Sequence, residues 1–372
     1  MTFGARALIR LGALEHNFER IRAAANGANI IAVVKANAYG HGLTTIALSL
    51  PLADCFAVAR LSEADALADA GVEKPILLLQ GVIDAEERDQ ALRRGFQLVV
   101  YSEWQIRLLE QAQFGSTIVW LKLDSGMHRL GFDPSSAGEL VARLNRCRAV
   151  DEVRLMTHLA NADDREDKTT ERQVEVFREL SKGFDGHISI ANSPGLLGWP
   201  DTVTAGHPVS KSWVRAGICL YGVSPFPGTC GAEIGLQPVM EFSCRLIDVR
   251  PVQAAEPIGY GGTWHAPAEG TVLGVISAGY GDGYSRFLGS GTPVLVDGRR
   301  VYVAGRISMD MATVDLGRGA TDEIGAGVTL WGEDLPVEEV AAHAGTVPYQ
   351  LLAGVTNRER RVILDRTGCI RP

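Results

Sequence analysis

Ile30-Ile31-Ala32-Val33-Val34-Lys35-Ala36-Asn37-Ala38-Tyr39-Gly40-His41-Gly42 is the stretch on which the fold turns. Its first five residues form an unbroken apolar run. Such a run predicts a strand covered on both faces, as in a parallel sheet. It ends on Lys35, and an ammonium group at the end of a buried strand needs a partner, solvent or a covalent use. Most strand-end lysines snorkel into water. An amine with a depressed pKa can instead condense with an aldehyde to a Schiff base. The residues that follow are small or turn-permissive, and Tyr39 adds one hydroxyl donor.

From Ile30 onward, strand and helix patterns alternate. The strands expected are Ile30–Val34, Cys55–Ala59, Ile76–Gln80, Gln97–Tyr101, Ile118–Leu123, Val153–His158, His187–Ala191 and Val214–Ile218. Between them lie amphipathic segments: SEADALADAG from Ser62 and DAEERDQALRRG from Asp84, each with an N-cap candidate and a closing glycine, and SEWQIRLLEQAQ from Ser102 with an N-cap candidate alone. Eight such units predict an α/β fold, a (β/α)8 TIM-type barrel. An open doubly wound sheet is the alternative, and the lack of a GxGxxG after the first strand argues against its dinucleotide-binding form. Ala7–Leu11 reads as a short strand ahead of a helix marked by Leu14, Phe18 and Ile21. The Gly- and Pro-rich Pro225–Gly235 reads as a linker. Beyond it, VLGVISAGYGDGYS, TPVLVDGRRVYVAG, ISMDMATVDLG and GVTLWG read as strands, with a hairpin at Asp297-Gly298 and one helix over Val337–Ala344. The expected division is a strand at 1–11 packing with the second domain, a barrel over 12–230 and a mostly-β domain over 231–372.

Composition narrows the function. The 372 residues are 46% hydrophobic and 22% charged, with a net charge of −8. That balance disfavours nucleic acid and membrane surfaces as partners. No apolar run is long enough to span a bilayer, and the N-terminus lacks a basic start followed by an apolar stretch. The six cysteines are scattered without a CxxC pair, which implies reduced thiols in a cytoplasmic protein and no zinc or other metal site.

Barrel enzymes work at the C-terminal ends of their strands. Lys35 closes the first strand. Lys122, Asp124, His128 and Arg129 follow the fifth. Thr157, His158, Asn161 and Asp163 close the sixth, Asn192 and Ser193 follow the seventh, and Arg215, Gly217 and Tyr221 belong to the eighth. Five strand ends carrying such residues point to one shared site.

The string AVVKANAYGHG resembles the lysine motif of the alanine racemases. LKLDSGMHRLG from Leu121, THLANAD from Thr157, ANSPG from Ala191, VRAGICLYG from Val214, IGYGGTW from Ile258, AGYGDGYSR from Ala278 and GRISMDM from Gly305 follow in that family's order. The resemblance implies pyridoxal 5'-phosphate (PLP) as cofactor, held on Lys35, and interconversion of L- and D-alanine that supplies peptidoglycan synthesis. Lys35 and Tyr260, the latter from the partner of a homodimer, would be the two acid–base groups, on opposite faces of the substrate Cα. His158 would assist Tyr260 and link it to Arg215, which would face the pyridine nitrogen. Arginine only donates, so that nitrogen would stay neutral and the ring would be a muted electron sink. The phosphate would fall to Tyr39, Ser193 and the backbone of Gly217 and Ile218, with Asn192 nearby. Arg129, Met309, Asp310 and Tyr280 would face the substrate, with Tyr280 narrowing the entrance. Lys122 stands where the family often carries a carbamylated lysine. His128 stands where glycine is common, and Asn357 stands where the family has a further phosphate-contacting tyrosine.

Other readings are a broad-specificity or serine racemase, a decarboxylase of the same fold, and a non-catalytic PLP carrier. Arg215 argues against the decarboxylase, and the β-rich second domain against the carrier. A metal-dependent hydrolase built on Lys122, His158, Asp124 and Asp163 lacks an HxH pair at the first strand.

Overall fold

A computed structural model describes residues 4–358 and 360–370. β1 is Arg6–Arg10. Eight strands then form a closed parallel barrel: β2 (Asn29–Val33), β3 (Cys55–Val58), β4 (Ile76–Leu78), β5 (Gln97–Val100), β6 (Thr117–Lys122), β7 (Val150–Met156), β8 (Ile188–Ser189) and β9 (Ser212–Ala216). All eight lie where the apolar runs predict them. Ile31 of β2 pairs with Cys55 of β3 on one side and Arg215 of β9 on the other, which closes the ring. The strands are buried on both faces, as continuous apolar runs require.

Helix signals fare differently from one segment to the next. Asp84 caps Ala85–Arg94 by accepting from the Glu87 N–H at 2.9 Å, and Gly95 ends that helix with a φ of 69°. Ser62 does not cap its helix. The helix begins at Leu61, and Glu63 reaches back to the N–H groups of Ala59 and Arg60 instead.

β10 (Met240–Val252) organises the second domain. It pairs antiparallel with Gly327–Trp331 and with Thr271–Ile276, so a ring of six antiparallel strands closes on it. The Asp297-Gly298 hairpin forms as its sequence demands, with φ of 43° and 80°. The helix at Val337–His343 is also present. β10 itself escaped the sequence reading because Glu241, Arg245, Asp248, Arg250 and Pro251 interrupt its apolar pattern. β1 lies between β10 and Arg360–Leu364, so both ends of the chain complete this sheet.

The 225–235 stretch is packed, not loose. The Glu338 carboxylate accepts from the Ser224 and Gly231 N–H groups at 3.0 and 2.9 Å. A Cβ on Gly222 would lie 1.8 Å from the Gln237 carbonyl oxygen, at a φ of +82°.

The backbone after Lys35 is unusual. Ala36, Asn37, Ala38 and Tyr39 take φ of 53°, 54°, 52° and 50°, and Gly40 follows at 82°. The result is a turn of left-handed helix built from four residues with side chains. Each L-residue there costs roughly 1–2 kcal/mol. A web of bonds holds it. Ala38 N–H donates to Val34 O, Gly40 N–H to Ala36 O, and Gly42 N–H to Asn37 O. The Asn37 side chain accepts from Leu43 N–H at 2.8 Å. His41 Nδ1 donates to the Ala38 and Tyr39 carbonyls at 3.0 and 2.9 Å. Arg361 Nε, from the second domain, donates to Gly40 O at 2.9 Å.

Two substitutions test this description. Gly222→Ala meets backbone at forbidden φ and is expected to cost about 3 kcal/mol or more in stability, read as a lower melting temperature and less soluble protein. Ala36→Gly, at an exposed position, relieves left-handed strain by more than glycine's entropic cost. It is expected to raise the urea midpoint, with a gain of up to about 1 kcal/mol.

Candidate active site

Lys35, Lys122, Arg129, His158 and Arg215 converge at the C-terminal mouth of the barrel, close enough to perturb one another. Burial, and then Arg129, push the Lys35 amine below its usual range, with Glu63 acting in the opposite sense. Burial also lowers Lys122, helped by Arg215 and Arg129 and opposed by Asp124, to about 8. His158 is held well below the ordinary imidazole range, first by burial and then by Arg215, Lys122, Arg129 and Lys35. It is therefore a neutral imidazole. So many cations in one cavity suit a ligand that brings its own negative charge.

Arg215 is buried, yet no carboxylate among the described residues contacts it. Nη1 donates to Ser189 Oγ at 2.6 Å, and Nη2 donates to the Thr157 and Ile190 carbonyls at 2.7 and 3.1 Å. Nη2 also lies 3.3 Å from His158 Nδ1. Since guanidinium nitrogens only donate, Nδ1 accepts and Nε2 of His158 carries the proton. An interior arginine ordinarily neutralises an acid; this one is held by neutral oxygens.

Tyr39, Ser193 and Gly217 meet on the neighbouring side. The Ser193 hydroxyl accepts from Gly217 N–H at 2.9 Å. A Cβ on Gly217 would stand 3.0 Å from the Tyr39 hydroxyl and 3.6 Å from Ser193 Oγ, so glycine leaves the space between them open. Ile218 starts a short 3-10 helix there, and Asn192 caps the helix Ser193–Gly198 through the Gly195 N–H at 3.0 Å. Tyr221 serves beneath, its hydroxyl on Val33 O at 3.0 Å and its ring between Tyr39 and His41.

Asn357 is exposed, and its side chain accepts from Arg361 at 3.2 Å. A tyrosine does stand beside Tyr39: it is Tyr349, with ring centroids 6.0 Å apart. Burial, and then Tyr39 and Cys219, raise its phenol above the usual range. The sequence signal was a lone Pro-Tyr opening a short helix, too common to single out.

Other sequence candidates scatter. Asn161 is exposed and bonds to Asp167, and Asp163 is also exposed. His128 has a φ of 55°, the region glycine favours. Asp124 holds it there, accepting from its N–H at 3.0 Å and its Nδ1 at 3.1 Å. Arg129 is exposed beside it.

Tyr260, Tyr280, Met309 and Asp310 belong to the second domain. Tyr260 is 65% exposed and Met309 is 53% exposed, so the chain's own barrel covers neither. Asp310 pairs with Arg358 at 2.7 Å, and Arg358 also pairs with buried Asp282 at 3.3 Å. Among the described residues, no cluster of His, Cys, Asp and Glu could hold a metal ion, and no helix is long and apolar enough to cross a membrane.

Comparisons with known proteins fit this arrangement. The model of the alanine racemase N-terminal domain matches residues 9–225, and that of the C-terminal domain matches residues 239–363. The chain is 49% identical over 356 residues to the alanine racemase of Vibrio cholerae, covering 95% of this chain and 96% of that one. Among solved structures, it resembles the biosynthetic alanine racemase of Pseudomonas aeruginosa with a TM-score of 0.92 at 41% identity, covering 97% and 99% of the two chains. It also resembles the alanine racemase of Bartonella henselae with covalently bound pyridoxal phosphate, with a TM-score of 0.86 at 27% identity, covering 97% and 99%. From the lysine turn to the last strand of its second domain, the chain belongs to the alanine racemase family, isomerases that act on an amino acid.

Proposed function

We propose that the protein interconverts L- and D-alanine with PLP held at Lys35, in a homodimer whose two chains build each site together. The D-alanine would serve peptidoglycan synthesis. One observation carries this reading: the Lys35 amine and the Tyr39–Ser193–Gly217 cradle flank one rigid turn. The Tyr39 hydroxyl bonds to no other described residue, and the cradle would be closed by a single Cβ at Gly217. These residues fit an anionic aldehyde, with the amine for its carbonyl and hydroxyls and N–H groups for its phosphate. Tyr349 would add a second phenol at the phosphate end.

Bound there, the cofactor would supply an electron sink for the bond electrons left at the substrate Cα. The chain's own groups would do the rest. Arg215 would donate to the ring nitrogen and leave it unprotonated, which limits side reactions. Lys35 would take or return the Cα proton on one face. Its lowered pKa makes it a better-matched base near neutral pH. Tyr260 of the partner subunit would act on the opposite face. A phenol with a pKa near 10 is a weak base, and the Nε2 proton of His158 would stabilise its anion. The exposure of Tyr260, Tyr280 and Met309 within one chain supports their serving the neighbour. Arg129, with Asp310 and Met309 of the partner subunit, would frame the substrate carboxylate. A narrow entrance at Tyr280 favours a small side chain.

Lys122 supports a further step. With its pKa near 8, much of the amine is neutral under mild conditions, and only a neutral amine adds carbon dioxide. The N–C bond would form with loss of one proton, and the carbamate would be an anion among Arg129, Arg215 and His158.

Four outcomes are expected. Protein reconstituted with PLP should show a visible absorption band that Lys35→Ala abolishes, and a panel of amino acids should be racemised best at alanine. A Lys35→Ala chain and a Tyr260→Phe chain, each inactive alone, should regain roughly a quarter of wild-type activity when co-expressed, because isologous heterodimers contain one intact site. Incubation with 13C-bicarbonate should give a carbamate resonance in wild type that is missing from Lys122→Ala.

A further inference from the structure

We propose that Glu63 is a positioning residue for Lys35: its carboxylate extends the β2–β3 pairing past the strand ends and fixes the peptide that leads from the lysine into the left-handed turn. The proposal deepens the reading above, since it matters for catalysis only if Lys35 is the working amine.

The regular pairing stops one residue before Lys35, with Val34 N–H donating to Ala57 O at 2.9 Å. Beyond that point β3 leads into the helix Leu61–Asp69, and among the described residues no further backbone bond runs from it to Lys35 or Ala36. Glu63, in the first turn of that helix, supplies the missing acceptor. Its Oε1 accepts from Ala36 N–H at 2.6 Å, and its Oε2 accepts from Ala59 and Arg60 N–H at 2.9 and 3.2 Å. A capping box needs only the second oxygen. The first is committed to a segment 27 residues away, at the amide immediately after Lys35.

That amide opens the left-handed run, and the neighbouring bonds hold the run further along, at Ala38, Gly40 and Gly42. Without Glu63 the entrance to the turn would have no bond from β3, and the Lys35 stem would lose its fixed origin. The charge matters too. The groups acting on the Lys35 amine are Arg129 and Glu63, and the amine in turn acts on Lys122 and His158. Glu63 is the anion in this set. Removing its charge leaves Lys35 among cations, so the amine should lose its proton at still lower pH.

The test uses the full-length chain, freed of carbonyl compounds with hydroxylamine and trace-acetylated with acetic anhydride from about pH 6 to about pH 11. Mass spectrometry of the Lys35 peptide, with exposed Lys182 as internal reference, reads the amine's titration midpoint. Glu63→Gln keeps an acceptor oxygen and loses the charge. It should shift the Lys35 midpoint down by about half a pH unit or more, leave Lys182 unmoved, and lower kcat about tenfold with KM nearly unchanged. Glu63→Asp keeps the charge and should restore most of the midpoint. An unshifted midpoint in Glu63→Gln with kcat within twofold of wild type would overturn the proposal and leave Glu63 a helix cap only. If wild type shows no PLP band but the midpoint still shifts, the proposed function fails and the placement of Glu63 stands.

Discussion

Four L-residues held in left-handed backbone directly after Lys35 are the constraint on which the site depends. Such a run does not persist from local preference. It persists because distant parts of the chain bind it: Glu63 after β3, Arg361 from the second domain, Tyr221 after β9 and His41 from its own far end. A Cβ on Gly40 would lie 2.0 Å from the Leu352 carbonyl oxygen, so the turn is also pressed against the second domain. Strain sustained by surrounding structure is common at functional sites. Here it sets the lysine amine and the Tyr39 hydroxyl at fixed positions on one rigid support.

The electrostatics follow from the same burial. Lysine, arginine and histidine side chains are drawn from β2, β6, β7 and β9 into one mouth, and each disfavours charge on its neighbours. Lys35 and Lys122 move toward neutrality and His158 remains neutral, while Arg215 keeps its proton because a guanidinium resists deprotonation even when desolvated. The mouth thus combines amines that can act as nucleophiles or bases with a fixed cation that can only donate. An anionic cofactor and a carboxylate substrate would relieve the mutual repulsion.

The second domain is not a passive addition. Its helix at Pro348–Ala353 carries Tyr349 beside Tyr39 of its own barrel, and its loops carry Tyr260, Tyr280 and Met309 outward. Arg358 ties the two outward loops together through Asp282 and Asp310. One lobe therefore closes its own barrel's site on one side and presents an exposed apolar and phenolic face on the other.

By itself, the sequence determined the barrel, because eight apolar runs separated by amphipathic segments can be buried together in few ways. It also determined which residues stand at strand ends, since strand length fixes where the chain leaves the sheet. Lys35, Arg215 and Ser193 were legible for that reason. Tertiary structure alone decided what depends on long-range contact. Nothing in the KANAY string announces left-handed backbone, because its local bonds are completed by Glu63 and Arg361, which lie far along the chain. Glu63 lies unremarked in the segment SEADALADAG, and only the fold brings its Oε1 to the Ala36 N–H. Tyr349 went unnoticed because nothing local shows that the short helix Pro348–Ala353 turns it toward Tyr39.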